Sequence, residues 1–175
     1  VGTGNAQVNY TRTSFTGSYT AISGTALVGG TGTGTLSSST GTLNVDDGTA
    51  YIALPFNFTY AGTAYTTSHF LGICSNGYMY PSTVNTNSSK IVTAANALQT
   101  GTTPVIAPWW DDLNANTAVN GVTGSIQWSV TGSAGSQVLT VQYSTYPSYW
   151  NGSARGLNFQ VKLYETGNVI EFIYG

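Results

Sequence analysis

Two aspartates and a nearby asparagine form the strongest candidate for a metal site in this sequence. Asp111 and Asp112 are followed at a short distance by Asn114. Carboxylate and amide oxygens are hard ligands that suit Ca²⁺, so the pattern predicts a calcium site in a loop. The alternative is that these residues cap a turn after a strand, because no twelve-residue loop ending in glutamate surrounds them. No other cofactor is expected.

Residues for acid–base or nucleophilic chemistry are few and scattered. The chain has six Asp or Glu, four Lys or Arg and one His. Glu165 and Glu171 flank a predicted hairpin, and a glycosidase would need two such carboxylates across a cleft. His69 has no second histidine for a metal site, and no Gly-x-Ser-x-Gly sequence marks a nucleophilic serine. We therefore expect a protein that is not an enzyme.

Aromatic residues provide a third kind of candidate, a contact surface. Tyr146, Tyr149 and Trp150 lie close together just before a turn. Exposed Tyr and Trp rings stack on sugars or form protein contacts. These three are therefore predicted subunit or ligand contacts, together with Tyr10 and Tyr19 near the N-terminus. Core packing of alternate residues is the alternative.

The charge balance limits the partners. With four Lys or Arg and a net charge of −2, the chain lacks the clustered cations that nucleic acid or an anionic membrane requires. No apolar run approaches the roughly 18 residues of a membrane helix. A surface with so little charge associates readily, which predicts copies of the same chain as partner, with surface glycans as the alternative. Cys74 lies in an apolar strand pattern and is predicted to be buried.

From residue 46 onward the chain consists of short apolar runs separated by turn residues, which predicts strands. The predicted strands cover residues 51–60, 64–74, 78–80, 105–109, 125–130, 137–143, 157–164 and 169–174. A short helix is predicted over residues 88–98, with a serine cap. Many short strands at this spacing indicate an all-β fold, an antiparallel, jelly-roll-like β-sandwich with at most one short helix.

The chain is predicted to form one domain over residues 1–175. Residues 1–45 are a low-complexity segment rich in Gly, Thr and Ser, which buries little on its own. We expect this segment to dock on the core or on a neighbouring subunit. Residues 46–175 are predicted to form the sandwich core.

Several motifs, in their order along the chain, resemble one known family. They are Pro55-Phe56-Asn57-Phe58-Thr59-Tyr60, Ser75-Asn76-Gly77-Tyr78, Ile106-Ala107-Pro108-Trp109-Trp110-Asp111-Asp112-Leu113, and Gly167-Asn168 leading into Ile170-Glu171-Phe172-Ile173-Tyr174-Gly175. The series resembles a β-sandwich module of secreted and surface proteins in Bacteroidetes-type bacteria, distantly similar to the nidogen-type extracellular domain. The resemblance implies secretion and a non-catalytic use as a building block. It also implies a structural role for Asp111 and Asp112.

The sequence ends on a predicted strand, which leads to a hypothesis about assembly. An open sheet edge is a template for a strand from another chain, and residues near 1–20 are the candidate donor. We therefore expect a secreted, non-enzymatic structural or adhesive protein of the cell surface. Its expected form is a self-assembling extracellular fibre subunit joined by strand complementation. The alternative is a carbohydrate-binding module of a larger secreted enzyme or adhesin.

Overall fold

In the residues that the structure describes, every regular element is a β-strand. The computed structural model describes residues 10–28, 48–85, 104–113, 122, 124–147 and 156–175. Within these ranges no helix is long and apolar enough to cross a membrane. The predicted all-β antiparallel sandwich is confirmed. The strands are β1 (Thr25–Val28), β2 (Thr49–Ala53), β3 (Phe58–Tyr60), β4 (Thr63–Tyr65), β5 (Phe70–Cys74), β6 (Met79–Ser82), β7 (Ser125–Thr131), β8 (Val138–Pro147), β9 (Gly156–Tyr164) and β10 (Ile170–Tyr174).

The larger sheet has five strands in the order β1-β7-β8-β9-β10, each antiparallel to its neighbour. The turn between β7 and β8 contains Gly132 and Gly135 at φ values of 86° and 89°. The turn between β9 and β10 contains Gly167 and Asn168 at 76° and 51°. Glycine and asparagine tolerate positive φ, which explains why the chain reverses direction at these positions.

Apolar side chains on the inner face of this sheet form rows that run across the strands. The rows, called the core rows below, are Ile126–Tyr143–Phe159–Tyr174, Trp128–Val141–Val161–Phe172 and Val130–Leu139–Leu163–Ile170. Their members on β8 and β9 are at most 1% exposed, because alternation along a strand directs every second residue to the core. The rings of Tyr143 and Phe159 stack with centroids 4.4 Å apart.

A three-stranded sheet in the order β2-β5-β6 packs against the core rows. The hydroxyl of Tyr143 donates a hydrogen bond of 2.7 Å to the carbonyl oxygen of Cys74 and so ties the two sheets together. Cys74 is buried, as predicted. The short β3–β4 hairpin adds Phe58 to the same core. The inward side chains of the three-stranded sheet are Ala50, Ile52, Leu71, Ile73 and Met79.

The other face of the three-stranded sheet buries a second apolar cluster that includes Tyr51 and Tyr80. Their hydroxyl oxygens are hydrogen-bonded at 2.9 Å, and both residues pair with Gly72 of β5. A Cβ at Gly72 would lie 2.8 Å from Cζ of Tyr80 and 3.0 Å from Cε1 of Tyr51. Glycine is therefore needed for the two rings to meet over β5.

Replacing Gly72 with alanine is expected to lower the free energy of unfolding by about 1–3 kcal/mol, the usual cost of overpacking a buried site. The added methyl group forces at least one tyrosine ring out of its hydrogen-bonded position. Denaturant unfolding followed by intrinsic fluorescence measures the change. A loss below about 0.5 kcal/mol, typical of surface substitutions, would mean that the rings move aside without cost.

Several local predictions differ from the structure. The predicted strands 51–60 and 64–74 are each interrupted by a turn or bend, so they give four short strands instead of two. The predicted strand 105–109 is reduced to an isolated bridge between Met79 and Ile106. β1 lies within the low-complexity segment, where no strand was predicted. The predicted helix over residues 88–98 lies outside the described residues.

Candidate functional site

The described residues before β1 form an extended arm on the outer face of the five-stranded sheet. We call residues 10–24 the arm, and it leads directly into β1 at Thr25. Its side chains are exposed except for those of Tyr19 and Ile22, which are partly buried. No strand or helix forms within it. A small set of specific contacts therefore holds the arm in place.

Two buried glutamines lie beneath the arm. Gln142 of β8 and Gln160 of β9 are directly opposite each other, on the side of the sheet away from the core rows. They are 3% and 1% exposed. Nε2 of Gln160 donates to Oε1 of Gln142 at 2.8 Å, and Nε2 of Gln142 donates to Oγ of Ser144 at 2.8 Å. We call Gln142 and Gln160 the glutamine pair.

The arm completes the hydrogen bonding of the glutamine pair with its backbone. Nε2 of Gln160 also donates to the carbonyl oxygen of Thr20 at 2.7 Å. The N–H of Ile22 donates to Oε1 of Gln142 at 2.9 Å. An extended chain presents the backbone groups of residues two apart on the same side. The backbone of the arm therefore supplies one acceptor and one donor to the glutamine pair, in addition to the hydrogen bond that the two side chains make with each other.

Two tyrosines fix the arm at further points. The N–H of Ala61 donates to the hydroxyl oxygen of Tyr10 at 2.7 Å, and the ring of Tyr10 lies 6.0 Å from that of Tyr60. Tyr19 packs on Gly175, where an added Cβ would lie 2.7 Å from the ring. The predicted contact residues Tyr10 and Tyr19 thus touch their own chain. Their role between subunits stays a prediction.

The edge strand β10 carries exposed apolar side chains, Phe172 and Tyr174. The one charged residue of the strand, Glu171, accepts a hydrogen bond of 2.5 Å from the hydroxyl of Tyr164 and lies 3.8 Å from Nζ of Lys162. The pKa of Tyr164 is raised to about 12, mainly by burial and to a smaller extent by the hydrogen bond and the negative charge of Glu171. This edge therefore presents the apolar ring of Phe172, while its carboxylate is already paired and the hydroxyl of Tyr174 donates to the carbonyl oxygen of Pro108 at 2.9 Å.

Two of the predicted calcium ligands, Asp111 and Asp112, lie in a loop that packs against Asn76. Oδ1 of Asp111 accepts the N–H of Asp112 at 2.9 Å. Oδ1 and the backbone oxygen of Asn76 accept the N–H groups of Leu113 and Asp111 at 3.2 and 3.3 Å. Among the described residues, no three His, Cys, Asp or Glu side chains form a group able to hold a metal ion. Asn114 lies outside those residues, so the calcium site stays a prediction.

Tyr146, predicted as a contact residue, lies in the core instead. It is fully buried, and its ring packs edge-on against that of Tyr143 with centroids 5.5 Å apart. The cause is a bulge in β8 at Thr145, where φ is 49° and the register with β9 shifts. The extra residue returns Tyr146 to the face that Tyr143 occupies. Tyr149 and Trp150 lie outside the described residues.

The residues considered for catalysis make local structural contacts. Oε2 of Glu165 accepts the N–H of Gln137 at 2.9 Å, which joins the β9–β10 turn to the start of β8. Nδ1 of His69 accepts the N–H of Thr66 at 3.0 Å within a turn. Glu171 is held by Tyr164 and Lys162 as described above. These contacts explain the positions of the three side chains, and the absence of enzymatic activity stays a prediction.

The fold defines the class of protein, an antiparallel β-sandwich domain with an N-terminal arm. The chain belongs to the NIDO-related family, which matches residues 9–175 and so includes the arm. Domains of this family are generally extracellular, and the predicted distant relationship to the nidogen-type domain is confirmed. No curated protein and no solved structure matches the chain.

Proposed function

We propose that this protein is an extracellular, non-enzymatic structural subunit that assembles with copies of itself by exchanging arms. The arm of one copy binds the glutamine pair of the next copy, in place of that copy's own arm. The observation that carries the proposal is that the backbone of Thr20 and Ile22 completes the hydrogen bonds of two buried glutamines. A site built for backbone accepts the arm of a second copy as well as its own.

The way in which the arm is attached supports exchange. Its side chains are exposed throughout residues 11–18, and it is held to the sheet by side-chain contacts without a strand ladder of its own. Exchange between copies replaces each contact by an identical one, which is why swapped elements are a low-cost route to association. Gly24 fixes the point where the arm leaves β1, because an added Cβ there would lie 2.3 Å from the carbonyl oxygen of Trp128.

Each copy offers one arm and one glutamine pair, which are different surfaces. Two copies that exchange arms reciprocally close into a dimer, whereas donation from each copy to the next makes a heterologous contact. Heterologous contacts that do not close into a ring produce filaments. A net charge of −2 on 175 residues adds little electrostatic repulsion between neighbouring copies. These properties support a fibre subunit.

Proline substitutions in the arm test the exchange. Ile22→Pro removes the N–H that bonds to Gln142, whereas Thr16→Pro makes the same change in the exposed part of the arm. We expect the full chain to form high-mass species that resist dilution and appear as regular filaments in electron micrographs. Ile22→Pro weakens the arm contact within a copy and between copies alike, and is expected to release the arm from both, so that this variant forms no filaments. Thr16→Pro is expected to leave filament formation unchanged.

Mixing two variants separates exchange from other association. The double variant Gln142→Leu/Gln160→Leu keeps a donor arm and lacks the acceptor, while Ile22→Pro keeps the acceptor. Exchange predicts that a mixture contains complexes of both variants and that neither variant alone forms filaments. Filaments from Ile22→Pro alone would refute arm exchange. A full chain that stays dispersed at every concentration would refute the structural role itself.

A further inference from the structure

Two core rows of the five-stranded sheet end on β10 with exposed side chains. Burial changes sharply between β9 and β10: Val161 is 0% and Phe172 41% exposed, and Phe159 is 1% and Tyr174 55% exposed. Strand register places each of these pairs side by side on the inner face of the sheet. An apolar row that continues past the edge of the core is a surface suited to a partner.

The backbone of β10 has a neighbour on one side only, among the described residues. The N–H of Tyr164 donates to the oxygen of Val169 at 3.0 Å, and the N–H of Gly175 donates to the oxygen of Asn158 at 2.9 Å. Hydrogen bonding alternates along an antiparallel strand, so the odd-numbered residues 169–175 bond to β9. Three residues then direct their N–H and C=O groups away from the sheet: Ile170, Phe172 and Tyr174.

Nothing within β10 protects this edge from pairing. Exposed edge strands are commonly protected by a charge, a proline or a bulge. β10 pairs with β9 in unbroken register, and its carboxylate, Glu171, is held by Lys162 and Tyr164. The opposite edge differs, because β1 has an irregular register between Ala26 and Val28. β10 is therefore the edge better suited to adding a strand.

We propose that β10 pairs antiparallel with β10 of a second copy, about a twofold axis at Phe172. In this register all three outward-directed residues are paired, since Phe172 faces its equivalent and Ile170 faces Tyr174, giving about six backbone hydrogen bonds. A register centred on Glu171 would place two carboxylates directly opposite each other, which is unfavourable. The pairing joins the two five-stranded sheets into one continuous sheet.

A second copy fits this edge because the exposed rows are complementary to themselves. Twofold pairing brings the two Phe172 rings together and continues the inner face of one sheet into the other. On the outer face, Glu171 of each copy lies opposite Ile173 of the other, so like charges are not directly opposed. A self-complementary surface of this kind forms a closed twofold dimer. The contact is separate from arm exchange and does not depend on it.

Two lysine variants test the pairing by sedimentation velocity. Both are made in the Ile22→Pro background, where arm exchange does not contribute and the expected species is a dimer. Phe172→Lys places two ammonium groups opposite each other and is expected to weaken the dimer by roughly 100-fold. Ile173→Lys adds the same charge one residue away, opposite Glu171 of the second copy, and is expected to retain the dimer.

Amide hydrogen exchange gives a second readout that other dimer surfaces would not produce. We expect the amides of Ile170, Phe172 and Tyr174 to be protected in the dimer and exposed in Phe172→Lys, while those of Glu171 and Ile173 stay protected in both. A monomer in the Ile22→Pro background overturns the proposal. So does protection of the three amides in a monomer, because a segment of the same chain then covers the edge. Failure of the full chain to form filaments would affect arm exchange and not this pairing.

Discussion

A Gly77→Ala protein is expected to lose on the order of 4 kcal/mol or more of its free energy of unfolding. Gly77 has a φ of 78°, and an added Cβ would lie 1.9 Å from the carbonyl oxygen of Trp109. The left-handed backbone alone costs alanine about 1–2 kcal/mol. The remainder arises because the loop that contains Trp109 has to move, which breaks the hydrogen bond between Asn76 and Leu113.

Gly135→Ala is the matched control for this substitution. Gly135 has a similar φ of 89°, and no heavy atom lies within 4 Å of an added Cβ. Its expected cost is therefore the backbone cost alone, about 1–2 kcal/mol. Total stabilities of domains are only about 5–15 kcal/mol, so a loss as large as that expected for Gly77→Ala can prevent folding. Asn76→Ala, which removes the side-chain oxygen bonded to Leu113, is therefore a milder probe of the same contact. Urea unfolding measures all three variants, and equal losses for the two glycines would contradict the role of Trp109.

Raising the pH above about 10 is expected to destabilise the protein steeply. Burial is the main effect that raises the pKa of Tyr143 well above its usual value near 10, and Cys74 and two neighbouring tyrosines add smaller effects in the same direction. Burial also contributes most to the pKa of Tyr60, which is raised to about 12. The folded state keeps protons that the unfolded state loses near pH 10. The stabilisation is therefore complete below pH 10 and is lost as the pH rises toward the folded-state pKa values.

Tyr143→Phe isolates the contribution of one buried hydroxyl. Each proton retained only by the folded state contributes a slope of about 1.4 kcal/mol per pH unit. From about pH 10 to about pH 12 the unaltered protein is expected to lose stability faster than Tyr143→Phe by this amount. Val161→Ala lowers stability in the same core but keeps every hydroxyl, so its slope should match the unaltered protein. Urea unfolding across this pH range measures the slopes, and tyrosinate absorbance recorded in parallel reports the loss of the protons. Identical slopes for Tyr143→Phe and the unaltered protein would contradict the expectation.

The strands with a regular alternation of side chains were predictable from sequence, and the irregular ones were not. Phe159, Val161 and Leu163 alternate with polar residues, and all three lie in the core rows. Tyr146 departs from this rule because the bulge at Thr145 shifts the alternation by one residue, which changes the face that every later side chain occupies. Threonine is an unusual residue at positive φ, so the sequence contains no signal for that bulge.

The candidate site was predicted only in part, because it depends on contacts between distant parts of the chain. The composition of the N-terminal segment indicates that it buries little, and it does not specify where the segment lies. A glutamine in an alternating strand usually faces solvent. Gln142 and Gln160 become a site only when β8 pairs with β9 and the arm lies over them, which brings together residues up to 140 positions apart. The one available signal in the sequence was a glutamine in each of two predicted neighbouring strands, Gln142 and Gln160, which antiparallel pairing can place opposite each other.

The glutamine pair would give an assembly of this kind a polarity. When every copy donates its arm to the next, the first copy keeps a glutamine pair that no arm covers and that is open to water, while the last copy keeps a filled pair and a loose arm. The open pair retains the hydrogen bond between its two side chains and is the point at which a further arm can bind. Growth and turnover would then occur at chemically different ends, with proteolysis beginning at the loose arm of the last copy.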